Sequence, residues 1–276
     1  MKALMFGFYL LLAGCFSTKA LAATSYIGDG QGPGDFALVS PAQQAQIVID
    51  SQDHPGLLRA VQSLQQDIEK VSGVRLVQSA KPDQPLALII GSLDKSRLLT
   101  TLEQRGKLDF SQLRGRWDGY QIELVQQPLP GVEQALVLAG NDKRGAIYAV
   151  YDLAEQIGVS PWVWWADVPV TKKSALWVKA GTRVLDAPKV KYRGIFLNDE
   201  APALSSWVQE KFGGYNHKFY LHVFELLQRL KANFLWPAMW NNAFADDDPQ
   251  NPLLADEMGI VMSNSHHEPM LRADKE

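Results

Sequence analysis

Tyr192-Arg-Gly-Ile-Phe-Leu-Asn-Asp-Glu200, Asn233-Phe-Leu-Trp-Pro-Ala-Met-Trp-Asn241 and Gly259-Ile-Val-Met-Ser-Asn-Ser-His-His-Glu268 follow one pattern. In each, an apolar run of strand length gives way at its C-terminal end to side chains able to bind or react. Helical stretches separate them. Tyr215 to Ala232 puts Phe219, Val223, Leu226, Leu227 and Leu230 on one stripe, and a shorter helix is expected around Leu253 to Met258. Strand, helix, strand, helix, strand with chemistry at the strand ends is how a (β/α)₈ barrel begins, because such barrels pack an apolar interior and react at the C-terminal mouth.

Working back from Tyr192, Asp186-Ala-Pro188 makes a domain boundary, so the expected organisation is a leader over 1–22, an α/β domain over 23–186 and the start of a barrel over 187–276. Tyr26 to Gly34 is Gly-rich and reads as a mobile lead-in. Phe36 to Ser40 and Gln46 to Asp50 are short strands. A helix begins at Pro55, with Leu57, Leu58, Val61, Leu64, Ile68 and Val71 at three- and four-residue intervals and Gly73 as its stop. Strands follow at Val74 to Gln78 and Leu86 to Ile90, and Leu93 to Leu102 is a further helix candidate. Tyr120 to Val125 alternates like a half-buried strand, Ala135 to Ala139 is apolar throughout, and Lys143 to Ile157 is a helix ended by Gly158. A Trp-rich segment, Pro161-Trp-Val-Trp-Trp-Ala-Asp167, and a Lys-containing strand lead to the boundary.

Apolar residues make up 46% of the 276 and charged ones 21%, ample for a core. The 27 basic residues nearly balance 30 acidic ones, which leaves no basic field for nucleic acid. Lys2, an apolar run from Ala3 to Ala13 and Ala20-Leu-Ala22 form an export signal too short to serve as a stable membrane span. Leu12-Ala-Gly-Cys15 also matches a bacterial lipobox. Cleavage after Ala22 and lipid anchoring at Cys15 therefore both stand, and the expected destination is the periplasm, the exterior or the outer membrane. Cys15 is the only cysteine, so the mature chain relies on packing and not on a disulfide.

The candidate site residues cluster at the three strand ends. Neighbouring residues on a strand face opposite ways, so Asp199 and Glu200 divide between the barrel mouth and a capping or solvent role before Pro202. His266 and His267 diverge for the same reason; one suits a core hydrogen bond, the other binding or proton transfer. No metal-ligand spacing accompanies them, and no metal or cofactor is expected. Trp236 reads as core, while Trp240, at the strand end, is placed to stack on a sugar face beside Asn241. Arg193 and Arg272 are salt-bridge formers that could instead fork to a substrate carboxylate. Asp246-Asp-Asp248 reads as a solvated loop.

At these residues the sequence resembles glycoside hydrolase family 115, the xylan α-1,2-glucuronidases. The strings that carry the likeness are Tyr192 to Pro202, Glu210 to Asn216, Leu230 to Trp240 and Ser265 to Met270, with Asn141 to Tyr148 as an echo in the front half. The resemblance implies an N-terminal hexosaminidase-like α/β domain followed by a (β/α)₈ barrel. It also implies inverting removal of (4-O-methyl)glucuronic acid side chains from glucuronoxylan, without metal or cofactor. By resemblance Asp199, Trp240, His267, Asn241 and Glu268 line the sugar pocket, with Asp199 and His267 in catalytic roles, while Glu200, His266 and Arg272 are the further substrate-binding candidates of the strand ends. Tyr192 to Glu276 amounts to about a third of the roughly 250 residues of a whole barrel. The expectation is thus an N-terminal, truncated portion of such an enzyme, inactive alone and missing its general acid. A non-catalytic carbohydrate-binding or scaffold protein and a hexosaminidase-like exo-glycosidase are the alternatives.

Overall fold

The computed structural model describes residues 25–28, 30–199, 201–237 and 242–263. In chain order its elements are β1 (Ile27–Gly28), β2 (Phe36–Val39), β3 (Gln46–Val48), α1 (Pro55–Ser72), β4 (Gln78–Ser79), β5 (Leu86–Ser92), α2 (Arg97–Gln104), β6 (Tyr120–Leu129), β7 (Val132–Gly140), α3 (Lys143–Gln156), β8 (Leu176–Val178) and β9 (Arg183–Asp186). Then come β10 (Gly194–Phe196), α4 (Ala203–Phe212), α5 (His217–Arg229), β11 (Phe234–Trp236), α6 (Phe244–Asp247), α7 (Gln250–Met258) and β12 (Val261–Met262).

The first half is an α/β unit around a six-stranded sheet ordered β4-β3-β5-β7-β6-β9. Strands β4, β3, β5 and β7 run parallel, and β6 pairs antiparallel with both β7 and β9. A sheet covered on both faces needs strands that are apolar throughout, and all seven residues of β5 are buried. Leu86, Leu88 and Ile90 pack with α1 and α3, whereas Ala87 and Ile89 face α2 and the Leu108 to Leu113 turn. Helix α1 starts with Pro in its first turn and ends at Gly73, whose φ of 78° is a left-handed conformation that glycine adopts without strain.

Two expectations change in this half. The lead-in is anchored at its start: Ile27 pairs with Val178 of β8, Tyr26 is buried, and its hydroxyl donates to Asp152 Oδ1 at 3.0 Å. The strand expected at Val74 to Gln78 is confined to Gln78 and Ser79, because Leu76 instead gives its carbonyl to the Gln65 side chain at 2.6 Å.

The second half contains β10, β11 and β12, parallel and adjacent in that order, with helices between them. Helix α5 is capped by the Asn216 side chain and buries Phe219, Tyr220, Val223, Phe224 and Leu227. It stops at Arg229, which leaves Leu230 at its C-cap and 43% exposed instead of on the buried stripe. Helix α4 has no counterpart in the sequence reading. Only Val208 of its ten residues is buried, so it carries almost no amphipathic signal.

A buried polar seam joins the halves. Asp118, with no exposed surface, accepts from Arg193 Nη2 at 3.1 Å and Asn233 Nδ2 at 2.8 Å through Oδ2, and from Arg144 Nε at 2.5 Å through Oδ1. Asn233 also receives the backbone N–H of Arg193 at 3.0 Å. Further out, Arg229 meets the buried Asp67 at 2.8 Å, and Lys231 reaches Asp152 at 2.8 Å and Tyr120 at 2.7 Å. Helix α7 approaches α1 so closely that a Cβ on Gly56 would stand 2.2 Å from the Glu257 carbonyl oxygen. Removing one partner of a buried ion pair leaves uncompensated charge. Asp118→Ala is therefore expected to cost about 3–5 kcal/mol of unfolding free energy, measured by urea denaturation, with Asp118→Asn costing less.

Candidate functional site

Because β10, β11 and β12 are parallel, their C-terminal ends open on one side. The register continues past the strands: Leu197 N donates to Trp236 O at 2.8 Å and Ser263 N to Leu235 O at 3.0 Å. Just beyond β10 lies Asp199, 2% exposed. Its Oδ2 accepts from Asn242 Nδ2 at 2.7 Å, a bond that ties the end of β10 to the chain following β11. The Asp199 carbonyl accepts from the Ser205 hydroxyl of α4, and Ser205 Oγ lies 3.4 Å from the Tyr215 hydroxyl. Burial raises the Tyr215 pKa, Ser205 works against that, and the charge of Asp199 adds to it. The phenol is thus held in its protonated, donor-capable form beside a carboxylate.

The loop from Asn242 to Pro249 is built by its own acids. Asp247 Oδ2 caps the Ala243 N–H at 2.8 Å. Asp248 Oδ2 accepts the His217 backbone N–H at 2.9 Å and lies 2.7 Å from His217 Nδ1, which clamps the loop to the start of α5. Asn251, fully buried, bonds the carbonyls of Tyr215 and Phe244 at 3.3 and 2.8 Å. Asp246 and Asp247 are exposed, in keeping with the reading of the run as solvated, while Asp248 is half-buried, and Asp247 and Asp248 also bind within the fold.

Of the sequence-derived site residues, Asp199 stands at the strand end. Glu200, Trp240, Asn241, His266, His267, Glu268 and Arg272 lie outside the described residues. Arg193 sits at the opposite, N-terminal end of β10, forking into Asp118 and the carbonyls of Val190 and Lys191, so its charge is spent inside the fold. Trp236 is half-buried and meets Phe196 edge-to-face at 5.5 Å. Among the described residues, no three His, Cys, Asp or Glu side chains come together as a metal site requires. Sequence reading missed Asn242, Ser205 and Tyr215. Only Asn242 left a trace, as the second residue of an Asn pair after an aromatic strand.

Residues 185–276 match the model of glycosyl hydrolase family 115, and residues 39–153 match that of the glycosyl hydrolase family 67 N-terminus. A solved structure, BtGH115A, described as a family 115 4-O-methyl-α-glucuronidase with specificity for decorated arabinogalactans, aligns over 86% of this chain at 31% identity and a TM-score of 0.73. The chain is family 115-like.

This family 115-like chain covers 30% of the length of that structure. A mutant Streptomyces plicatus β-hexosaminidase in complex with product aligns at 12% identity and a TM-score of 0.49, over 84% of this chain and 42% of its own. The Flavobacterium johnsoniae chitobiase aligns at 10% and 0.47, over 86% and 33%. No curated protein matches the chain.

Two measurements probe this geometry. Asn242→Ala strips a buried carboxylate of a hydrogen bond and is expected to cost about 1.5–3 kcal/mol in urea denaturation. Burial works to raise the Asp248 pKa, but the hydrogen bonds from His217 and Gln250 outweigh it and hold the carboxyl below the usual range. A depressed folded-state pKa stabilises above the unfolded-chain value of about 3.9 and loses that contribution as pH falls through the folded value. Thermal unfolding of Asp248→Asn should therefore differ from the parent at pH 6, and the gap should close as the pH falls through the depressed folded-state value.

Proposed function

We propose that this chain supplies the α/β unit and the first wall of the sugar pocket of an exported α-glucuronidase, which removes (4-O-methyl)glucuronic acid side chains from a branched polysaccharide with inversion. The observation that carries this reading is a buried, oriented carboxylate, Asp199, at the C-terminal end of three adjacent parallel strands, inside the segment matched to family 115. In this reading β10, β11 and β12 are the opening strands of a (β/α)₈ barrel, and the pocket is its mouth.

Inversion needs one acid to protonate the leaving oxygen and a second group to activate water on the far face of the sugar. Asp199, held by Asn242, orients the water or a sugar hydroxyl and shares that task with His267. Trp240 walls the ring, and Asn241, Glu268 and Arg272 contact the uronate and its hydroxyls. Glucuronoxylan is the substrate of this reading, and a decorated arabinogalactan of the kind named for BtGH115A is the second candidate. Residues 1–22 direct export, with cleavage after Ala22 or lipid attachment at Cys15.

The test compares the parent with Asp199→Asn on glucuronoxylan and on decorated arabinogalactan, reading uronic acid release and the anomer first formed. A loss of about 100-fold or more and a first product of inverted configuration are expected. Where the chain alone releases nothing, calorimetric binding of 4-O-methylglucuronate should show the same contrast. Equal turnover or equal binding by the two proteins would remove Asp199 from the pocket, and no uronate binding by the parent would favour a non-catalytic role.

A further inference from the structure

The Trp-rich segment between α3 and β8 is used by nothing described so far. Trp164 lies flat on the His222 ring of α5, with centroids 3.8 Å apart and planes 10° from parallel. Trp165 stands nearly perpendicular to it at 4.8 Å and donates its Nε1–H to the His222 carbonyl at 3.2 Å. Trp207 of α4 closes the corner, 6.3 Å from Trp164 and 5.9 Å from Trp165. Together with Phe212, Asp167 and Lys211 these rings line a concavity of about 600 Å³. Trp164 nevertheless remains 42% exposed and the neighbouring Trp162 46%.

Rings packed only for stability would be covered, since exposed indole surface is costly and such patches mark binding sites. A wholly apolar patch would suit the core of a protein interface, but exposed Asp167 and Lys211 edge these rings. Flat aromatic faces with a few polar groups at the rim instead suit pyranose rings, whose C–H faces stack and whose hydroxyls need partners. Charge narrows the choice further. Lys211 is already paired with Glu210 at 3.0 Å, and Asp167 adds a second negative group, so the rim offers no surplus cation for a uronate. A neutral stretch of glycan is favoured.

Location gives the groove a purpose. Trp207 sits two residues from Ser205, whose hydroxyl bonds the Asp199 carbonyl, so α4 is a rigid link between this corner and the candidate pocket. The rings are also locked by one another before any ligand arrives, which lowers the entropic cost of binding.

We propose that the Trp164–Trp165–Trp207 corner is a second carbohydrate site, which takes the neutral pyranose backbone of the polysaccharide while the uronate branch is offered to the pocket beside Asp199. This rests on the glycan-acting reading above but is tested apart from it. The probe is debranched, uronate-free xylan backbone, with a debranched galactan in parallel, measured by affinity electrophoresis and by quenching of Trp fluorescence.

Trp164→Ala should weaken backbone binding about tenfold, as expected for a Trp anchor. Trp164→Phe should recover most of it, and binding of free 4-O-methylglucuronate should be unchanged in both. Should Trp164→Ala unfold, Lys211→Ala gives a milder change expected to weaken backbone binding severalfold, and fluorescence quenching of the parent reads the site without any variant. Unaltered backbone binding in Trp164→Ala, or absence of quenching in the parent, overturns the proposal. So does a shift in association state on ultracentrifugation with backbone binding unchanged, which would mean that the corner docks protein.

Discussion

One buried carboxylate holds the two halves of this molecule in register. Asp118 is out of reach of water, where an unpaired charge would be prohibitive, so its oxygens are saturated by Arg144 from α3, Arg193 from the start of β10 and Asn233 from the start of β11. Each donor comes from a different element. The first strands of the second unit are thereby set at their N-terminal ends against the last helix of the first, and the direction in which their C-terminal ends open follows from that.

The other cross-links serve the same end. Lys231 at the turn after α5 meets Asp152 and Tyr120, and Arg229 meets Asp67 while lying over the Tyr151 ring at 4.7 Å. Burial, followed by the nearby Asp152 charge, pushes the Tyr120 pKa upward, so that phenol remains a donor in the network. A seam of charged hydrogen bonds is geometrically exacting in a way that an apolar interface is not, since a small slip leaves a charge unpaired. At the opposite end of the strands, Asn242, Ser205 and the Asp248 clamp hold Asp199 and its loop.

Much of the architecture was legible along the chain. The stripe of Leu57, Val61, Leu64, Ile68 and Val71 and the apolar run of β5 each record burial in a local period, and burial is what the fold rewards. Helix α4 left no such record because it buries one residue, and the lead-in at Tyr26 misled because its order comes from distant partners, Val178 and Asp152. Asn242 stayed hidden for a similar reason: its role is a bond across 43 residues of sequence to Asp199.

The sequence by itself determined the α/β succession and the kinship of its final third to a glycoside hydrolase family, because periodicity and motif are local properties of the chain. Only the tertiary structure decided that Arg193 serves Asp118 and not a ligand, that Asp247 and Asp248 build their loop, and that three tryptophans form a corner with exposed faces. Those outcomes depend on which distant groups arrive within hydrogen-bonding or stacking distance, and that is set by the packing of whole elements.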